Sequence, residues 1–201
     1  MIRTATPKDA RAIAELTYLV WQDMELEIVR RYEKETVIAA LVKSATEVHY
    51  RNHIEHVDIY EVAGQVAGIL IAYPGEYEAA YEQAWQNLTL AEKIQLETDT
   101  PLPVLEAERG DVYIETIATF PEFRGRGIAT KLIQARLQSN PEVTWGLNCD
   151  EQNERAYQLY CKLGFQEKMK KVLYGHEYRY MIYQNEGNAY ACVNKCQLRK
   201  R

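Results

Sequence analysis

Apolar residues recur along this chain with a helical period in some stretches and a strand period in others, and the switches between the two mark out the elements. Ile2 to Ala5 reads as a short first strand, and Thr6-Pro7-Lys8-Asp9 opens a helix. Thr6 can cap that helix, Pro7 suits its first position, and Asp9 completes a box-like arrangement ahead of Ile13, Leu16, Val20 and Met24 on one face. Val37, Ile38, Leu41 and Val42 repeat the period and predict a second helix over Lys34 to Val48. His56 to Val62 and Gln65 to Tyr73 read as antiparallel strands joined by a tight turn at Ala63-Gly64 and ended by Pro74-Gly75. Helices are expected at Glu76 to Leu88 and at Leu90 to Glu97. Further on, Val143 to Asn148 reads as a strand, Asn153 to Leu163 as a helix closed by a left-handed cap at Gly164, and Glu177 to Gln184 as a last strand.

The densest signal lies at Tyr113 to Leu137, where a strand over Val112 to Thr119 stops at Pro121 and a helix begins at Gly127 with Ile128, Leu132, Ile133 and Leu137 on one side. Gly125 and Gly127 lack a Cβ, so the turn can bring backbone N–H groups close to an anion at the positive end of a helix. Arg124, Arg126 and Lys131 add positive charge in an acidic chain. A phosphate cradle fits these features, and spacing narrows its kind. A Walker A loop closes with Gly-Lys-Ser/Thr, whereas Lys131 stands between Thr130 and Leu132. A dinucleotide fingerprint needs a third glycine where Thr130 stands, although Asp150 could imitate its ribose-binding acid.

The remaining pattern, Gln/Arg-x-x-Gly-x-Gly/Ala, is met by Arg124, Gly127 and Ala129. Downstream, Asn153, Ala156, Tyr160, Gly164 and Phe165 match N-x-x-A-x-x-x-Y-x-x-x-G-F. Both segments, in this order, resemble those of the GNAT superfamily of N-acetyltransferases, in its small bacterial form. The resemblance covers residues 1 to about 184. It implies an α/β GNAT fold, with a mixed, mostly antiparallel sheet flanked by helices and two central parallel strands, near 112–119 and 143–148, that splay to admit a cofactor. The implied organisation is one domain over 1–184 with a helical insertion at about 76–110, followed by a tail over 185–201.

The resemblance further implies acetyl transfer from acetyl-CoA to an amine by direct attack in a ternary complex. Arg124 and the amides of Gly125, Arg126, Gly127, Ile128, Ala129 and Thr130 would clamp the pyrophosphate, and Asn153 would hydrogen-bond the cofactor. Backbone groups of Ile117, Ala118 and Thr119 would hold the pantetheine like an added strand and polarise the thioester carbonyl. Tyr160 would protonate the departing thiolate with a phenol of ordinary pKa, about 10, and Tyr157, one turn nearer Asn153, is a weaker substitute. A packing role for Tyr160 is the plainer alternative among 15 tyrosines. Glu115, a carboxylate in mid-strand, is the candidate base, with simple orientation of the amine as its alternative. Leu19 to Glu25, with Trp21 and Asp23, would border the acceptor site.

Composition bounds the partners. With 201 residues, 47% hydrophobic and 26% charged, the chain matches an ordinary globular protein, and its formal charge of −5 opposes a nucleic-acid-binding role. Met1 to Leu16 lack a leader's apolar run, no apolar stretch reaches the about 18 residues of a membrane span, and unpatterned Cys149, Cys161, Cys192 and Cys196 suit reduced thiols, so a cytoplasmic monomer or homodimer is expected. Glu76, Glu78, Glu82, Glu92, Glu97, Asp99, Glu106 and Glu108 crowd the insertion. They read as a solvated face, with a negative lid for a cationic amine as the functional alternative. No metal is expected: His49, His53 and His56 would share a face only on a continuous helix, and they read as surface residues at a helix-to-strand junction, while Cys192 and Cys196 lack a second ligand pair. The acidic balance favours a small cationic amine as acceptor. A protein or peptide N-terminus is an alternative acceptor, and a non-catalytic acetyl-CoA sensor is the alternative function.

Overall fold

The computed structural model describes residues 1–90 and 93–185, so Glu92, Cys192, Cys196 and the basic end at Leu198 to Arg201 lie outside the described residues. Seven strands form one sheet in the order β1-β2-β3-β4-β5-β7-β6, with β1 Ile2–Thr4, β2 Val57–Val62, β3 Gln65–Pro74, β4 Asp111–Thr119, β5 Thr144–Asp150, β6 Gln166–Leu173 and β7 His176–Tyr183. All neighbours run antiparallel except the central pair β4 and β5. Helix α1 (Ala10–Asp23) covers one face with Ile13 and Leu16, and α5 (Ile128–Ser139) covers the other with Ile128, Leu132 and Ile133. The chain carries α2 (Glu27–Arg31), α3 (Lys34–Ser44), α4 (Glu78–Gln83) and α6 (Glu154–Lys162) besides.

Local chemistry sets these boundaries. Asp9 Oδ2 accepts from the Thr6 N–H at 2.8 Å and from its hydroxyl at 2.9 Å, and the Arg3 guanidinium clamps the same carboxylate at 2.8 Å, which fixes the start of α1 to the first strand. Ala63 and Gly64 both take positive φ, 49° and 81°, as a two-residue hairpin turn requires. Helix α3 ends at Ser44 rather than Val48. The Ser44 hydroxyl sits between Leu41 O and Asn52 Oδ1, and the chain turns there.

The insertion departs furthest from expectation. Its first helix is split into a 3-10 turn at Gly75–Tyr77, α4, and a second 3-10 turn at Ala84–Asn87. No α-helix follows among the described residues up to Glu97: Ile94 and Leu96 are buried in irregular chain, against a cluster that includes Trp21, Tyr50 and Trp85. Strand β6 is unannounced by the pattern, because it is an edge strand whose residues 166–170 alternate charge with a single apolar position, as edges commonly do. Its hairpin turn to β7, Tyr174-Gly175, has positive φ at both residues.

Two features open the centre of the sheet. Strands β4 and β5 pair only at Asp111 with Thr144, Val112 with Trp145 and Tyr113 with Gly146, and beyond that point each pairs with its other neighbour alone. Gly146 is required there: a Cβ would lie 2.0 Å from the Tyr180 hydroxyl, which crosses it to bond Asp111 Oδ2 at 2.8 Å. In β4, Thr116 opposes Ile71 and Ile114 opposes Ala72, so Glu115 is the extra residue of a β-bulge, a device that re-aims side chains beside active sites.

Candidate active site

A cleft of about 640 Å³ lies where β4 runs into α5, lined by the turn, the end of β4 and one face of α6. Gly127 takes a left-handed φ of 71° as the residue before α5, which a residue with a Cβ adopts only under strain. The first intrahelical bond of α5 runs from the Lys131 N–H to Gly127 O at 3.0 Å, so the N–H groups of Ile128, Ala129 and Thr130 precede it and remain available to an anion. Arg124 donates through Nε to Thr119 O at 3.2 Å and lines the cleft with Gly125, Gly127, Ile128, Ala129 and Thr130.

Strand alternation sorts the expected β4 contacts. Phe120 N–H donates to Ala67 O, which turns the main chain of Ala118 toward β3 and that of Ile117 and Thr119 toward the splay. Ile117 and Thr119 line the cleft; Ala118 is buried on the α1 side. Arg126 is also turned away, donating to Glu122 O at 3.2 Å and lying over the Phe123 ring, and Lys131 reaches the Tyr60 hydroxyl.

Helix α6 supplies the facing wall. Asn153 caps it, accepting from the Ala156 N–H at 3.0 Å, which leaves its amide nitrogen for a ligand. Tyr160 follows on the cleft side, two turns along, together with Arg155, Gln158 and Lys162. Burial, with Cys149 nearby, raises the Tyr160 phenol well above its ordinary range, so the unperturbed pKa expected of it does not hold and the group stays protonated at neutral pH. Tyr157 does not line the cleft; its ring lies under Arg179 at 4.4 Å.

Glu115 projects to the α1 side of the sheet, part-buried, and accepts from the Tyr73 hydroxyl at 2.5 Å. Burial pushes its carboxyl up to about 8, opposed by the pull of Arg51 and reinforced by Glu106. Arg51 is the hub of a buried cluster: its guanidinium meets Glu78 at 2.9 Å, Glu82 at 2.6 Å and Glu106 at 3.7 Å. Glu106 in turn accepts from the hydroxyls of Tyr113 and Tyr174. These three acids are therefore not part of a solvated face, while Glu76, Glu97 and Asp99 are exposed. Asn148, on β5 beyond the last β4 pair, donates to the Tyr113 hydroxyl at 3.0 Å and keeps a buried Oδ1 without a partner among the described residues.

The model of the Acetyltransferase (GNAT) family matches residues 20–165. The chain belongs to this family. An N-acetyltransferase from Staphylococcus aureus Mu50 is similar at 49% identity with a TM-score of 0.88, over 91% of this chain and 100% of that one. A second acetyltransferase structure is 32% identical with a TM-score of 0.75, over 92% of this chain and 100% of the other. A Salmonella typhimurium protein, yncA, solved with its cofactor acetyl-CoA, shares the fold alone at 16% identity and a TM-score of 0.55, over 92% and 94% of the two chains. No curated protein matches the sequence.

In this GNAT acetyltransferase two residues singled out in the sequence are placed in the interior. Trp21, expected beside the acceptor, is buried in the core against Trp85, at 6.2 Å between ring centroids. The histidines are not all superficial: His56 is buried and bonds Arg51 O at 2.9 Å, and burial together with His49 and His53 lowers it to about 4, against the pull of that bond. Arg155, Gln158 and Lys162 were legible in principle, since they recur at helical spacing around the Asn153 to Tyr160 face. Arg51 carried no signal, because nothing local marks a guanidinium whose partners lie a long way along the chain.

Proposed function

We propose that this GNAT acetyltransferase moves an acetyl group from acetyl-CoA to the primary amine of a small molecule, by direct attack in a ternary complex within one domain spanning 1–184. The observation that carries the reading is the single cleft shared by the α5 N-terminus, Asn153 and Tyr160. Its residues suit the cofactor: three free amides and Arg124 for the pyrophosphate, Arg155 and Lys162 as further cations, and the exposed main chain of Ile117 and Thr119 for an extended arm. Acetyl-CoA supplies the thioester carbon that the amine attacks.

Tyr160 holds the proton that the thiolate leaving group takes up. Glu115, kept near neutrality in pKa by burial, accepts the proton that the amine must lose. The buried Oδ1 of Asn148 offers a hydrogen-bond acceptor to the same amine. The acids Glu78, Glu82 and Glu106 outnumber Arg51 on the α1 side, and this negative field favours a cationic acceptor.

Isothermal titration with acetyl-CoA, followed by thiol release across a panel of amines and peptides, tests the reading. Binding with release on small amines is the expected result. Release confined to peptides of a preferred sequence would replace the acceptor class, and binding with no release across the whole panel would favour an acetyl-CoA sensor. Absence of binding would overturn the cofactor assignment.

A further inference from the structure

The loop 45–56, which joins α3 to β2, gathers a set of ligating side chains that acetyl transfer does not use. His49 Nε2 lies 2.9 Å from Glu55 Oε2, His53 Nδ1 lies 3.7 Å from the same oxygen, and one ligating atom from each residue falls within 4.8 Å of the others. We propose that His49, His53 and Glu55 form a binding site for a divalent first-row transition ion such as Zn²⁺, with its fourth position open to solvent.

The geometry suits such an ion. Zinc bound at about 2.0 to 2.1 Å in a tetrahedral site holds its ligand atoms about 3.4 Å apart, so the separations of 2.9 Å and 3.7 Å bracket the requirement and only the widest pair has to draw in. Two of the three side chains can do so, because His49 and Glu55 are 48% and 69% exposed. The rings are already positioned: His49 packs at 4.8 Å on His53, at 4.8 Å on His56 and at 5.0 Å on Tyr81. His53 Nδ1 accepts from the Glu55 N–H at 3.5 Å, so this nitrogen carries a lone pair rather than a proton, and the bond is long enough to give way to an ion.

This set is not the histidine triad that a continuous helix would require, and it departs from the expectation of no metal. Residues 54–56 form a 3-10 turn ahead of β2, so His56 turns inward to bond Arg51 O and Glu55 stands beside His49 and His53. Two imidazoles and one carboxylate favour zinc and its neighbours over Mg²⁺ or Ca²⁺, which prefer all-oxygen sites.

Titration of the full chain with Zn²⁺ alone tests the proposal, with Mg²⁺ and Ca²⁺ in parallel. A Cys161→Ser/Cys192→Ser/Cys196→Ser background removes thiols that could compete. One equivalent of Zn²⁺ is expected to bind, to raise the melting temperature, and to be removed by chelator. His49→Gln/Glu55→Gln should weaken binding by more than about tenfold with an unchanged circular dichroism spectrum. Co²⁺ in the same site should show a spectrum of nitrogen and oxygen ligation, without a thiolate charge-transfer band. Failure to bind Zn²⁺, undiminished binding in the double variant, or tighter binding of Mg²⁺ or Ca²⁺ would each overturn it.

Discussion

Two side chains on opposite sides of the splay are assigned the proton transfers, and each has a pKa set by burial. For Tyr160 the raised phenol keeps the proton on the ring until a thiolate is formed beside it. Tyr160→Phe is therefore expected to lower kcat by about 10²-fold and leave the acetyl-CoA dissociation constant unchanged; steady-state rates beside calorimetry would show both, and an unchanged rate would remove Tyr160 from the mechanism. For Glu115 the direction is upward from about 4.5 to about 8, and the ionised form is the one that accepts a proton. The rate should rise with pH toward about 8 and then level, and Glu115→Gln should abolish that limb of the profile. Folding has the opposite dependence. The folded chain keeps the Glu115 proton to a higher pH than the unfolded chain, so the contribution of this residue to stability is greatest below about 4.5 and is lost as pH rises toward about 8.

At the scale of elements, the cradle is a property of a strand, a turn and a helix start acting together. Gly127 faces open space with a positive φ, so a substitution there meets two penalties: backbone strain and a side chain thrust into the cleft it lines. Gly127→Glu adds a negative charge where the pyrophosphate would sit. It is expected to eliminate acetyl-CoA binding by calorimetry, and normal affinity would refute the cradle. The elements that the sequence shows well are those with local signals: the Thr6 to Asp9 start of α1, the Ala63-Gly64 hairpin, the Gly127 entry to α5 and the Asn153 cap of α6. Strand β6 and the irregular chain at 93–110 were hidden because charged edge strands and loops pinned by distant partners have no periodicity.

Across the whole molecule, Arg51 ties together segments that are far apart in sequence. It is fully buried, and its donors reach Glu78 and Glu82 of the insertion as well as Leu102 O at 2.7 Å. Arg51→Met would leave buried carboxylates without their cation, and breaking such a pair costs about 3–5 kcal/mol. Urea unfolding should show that loss as a lower midpoint, whereas a midpoint within error of the parent would deny the hub its structural role. By itself the sequence determined the two family motifs, the helix caps, the glycine turns and the order of most elements, because these depend on residues close together along the chain. Tertiary structure alone decided that β4 and β5 part after Gly146, that a bulge aims Glu115 toward Tyr73, that Arg155 and Lys162 face the cradle while Arg126 and Ala118 do not, and that the acids of the insertion turn inward. Those outcomes depend on which distant groups share a low-dielectric interior, and burial and long-range pairing leave no periodic trace for a sequence to display.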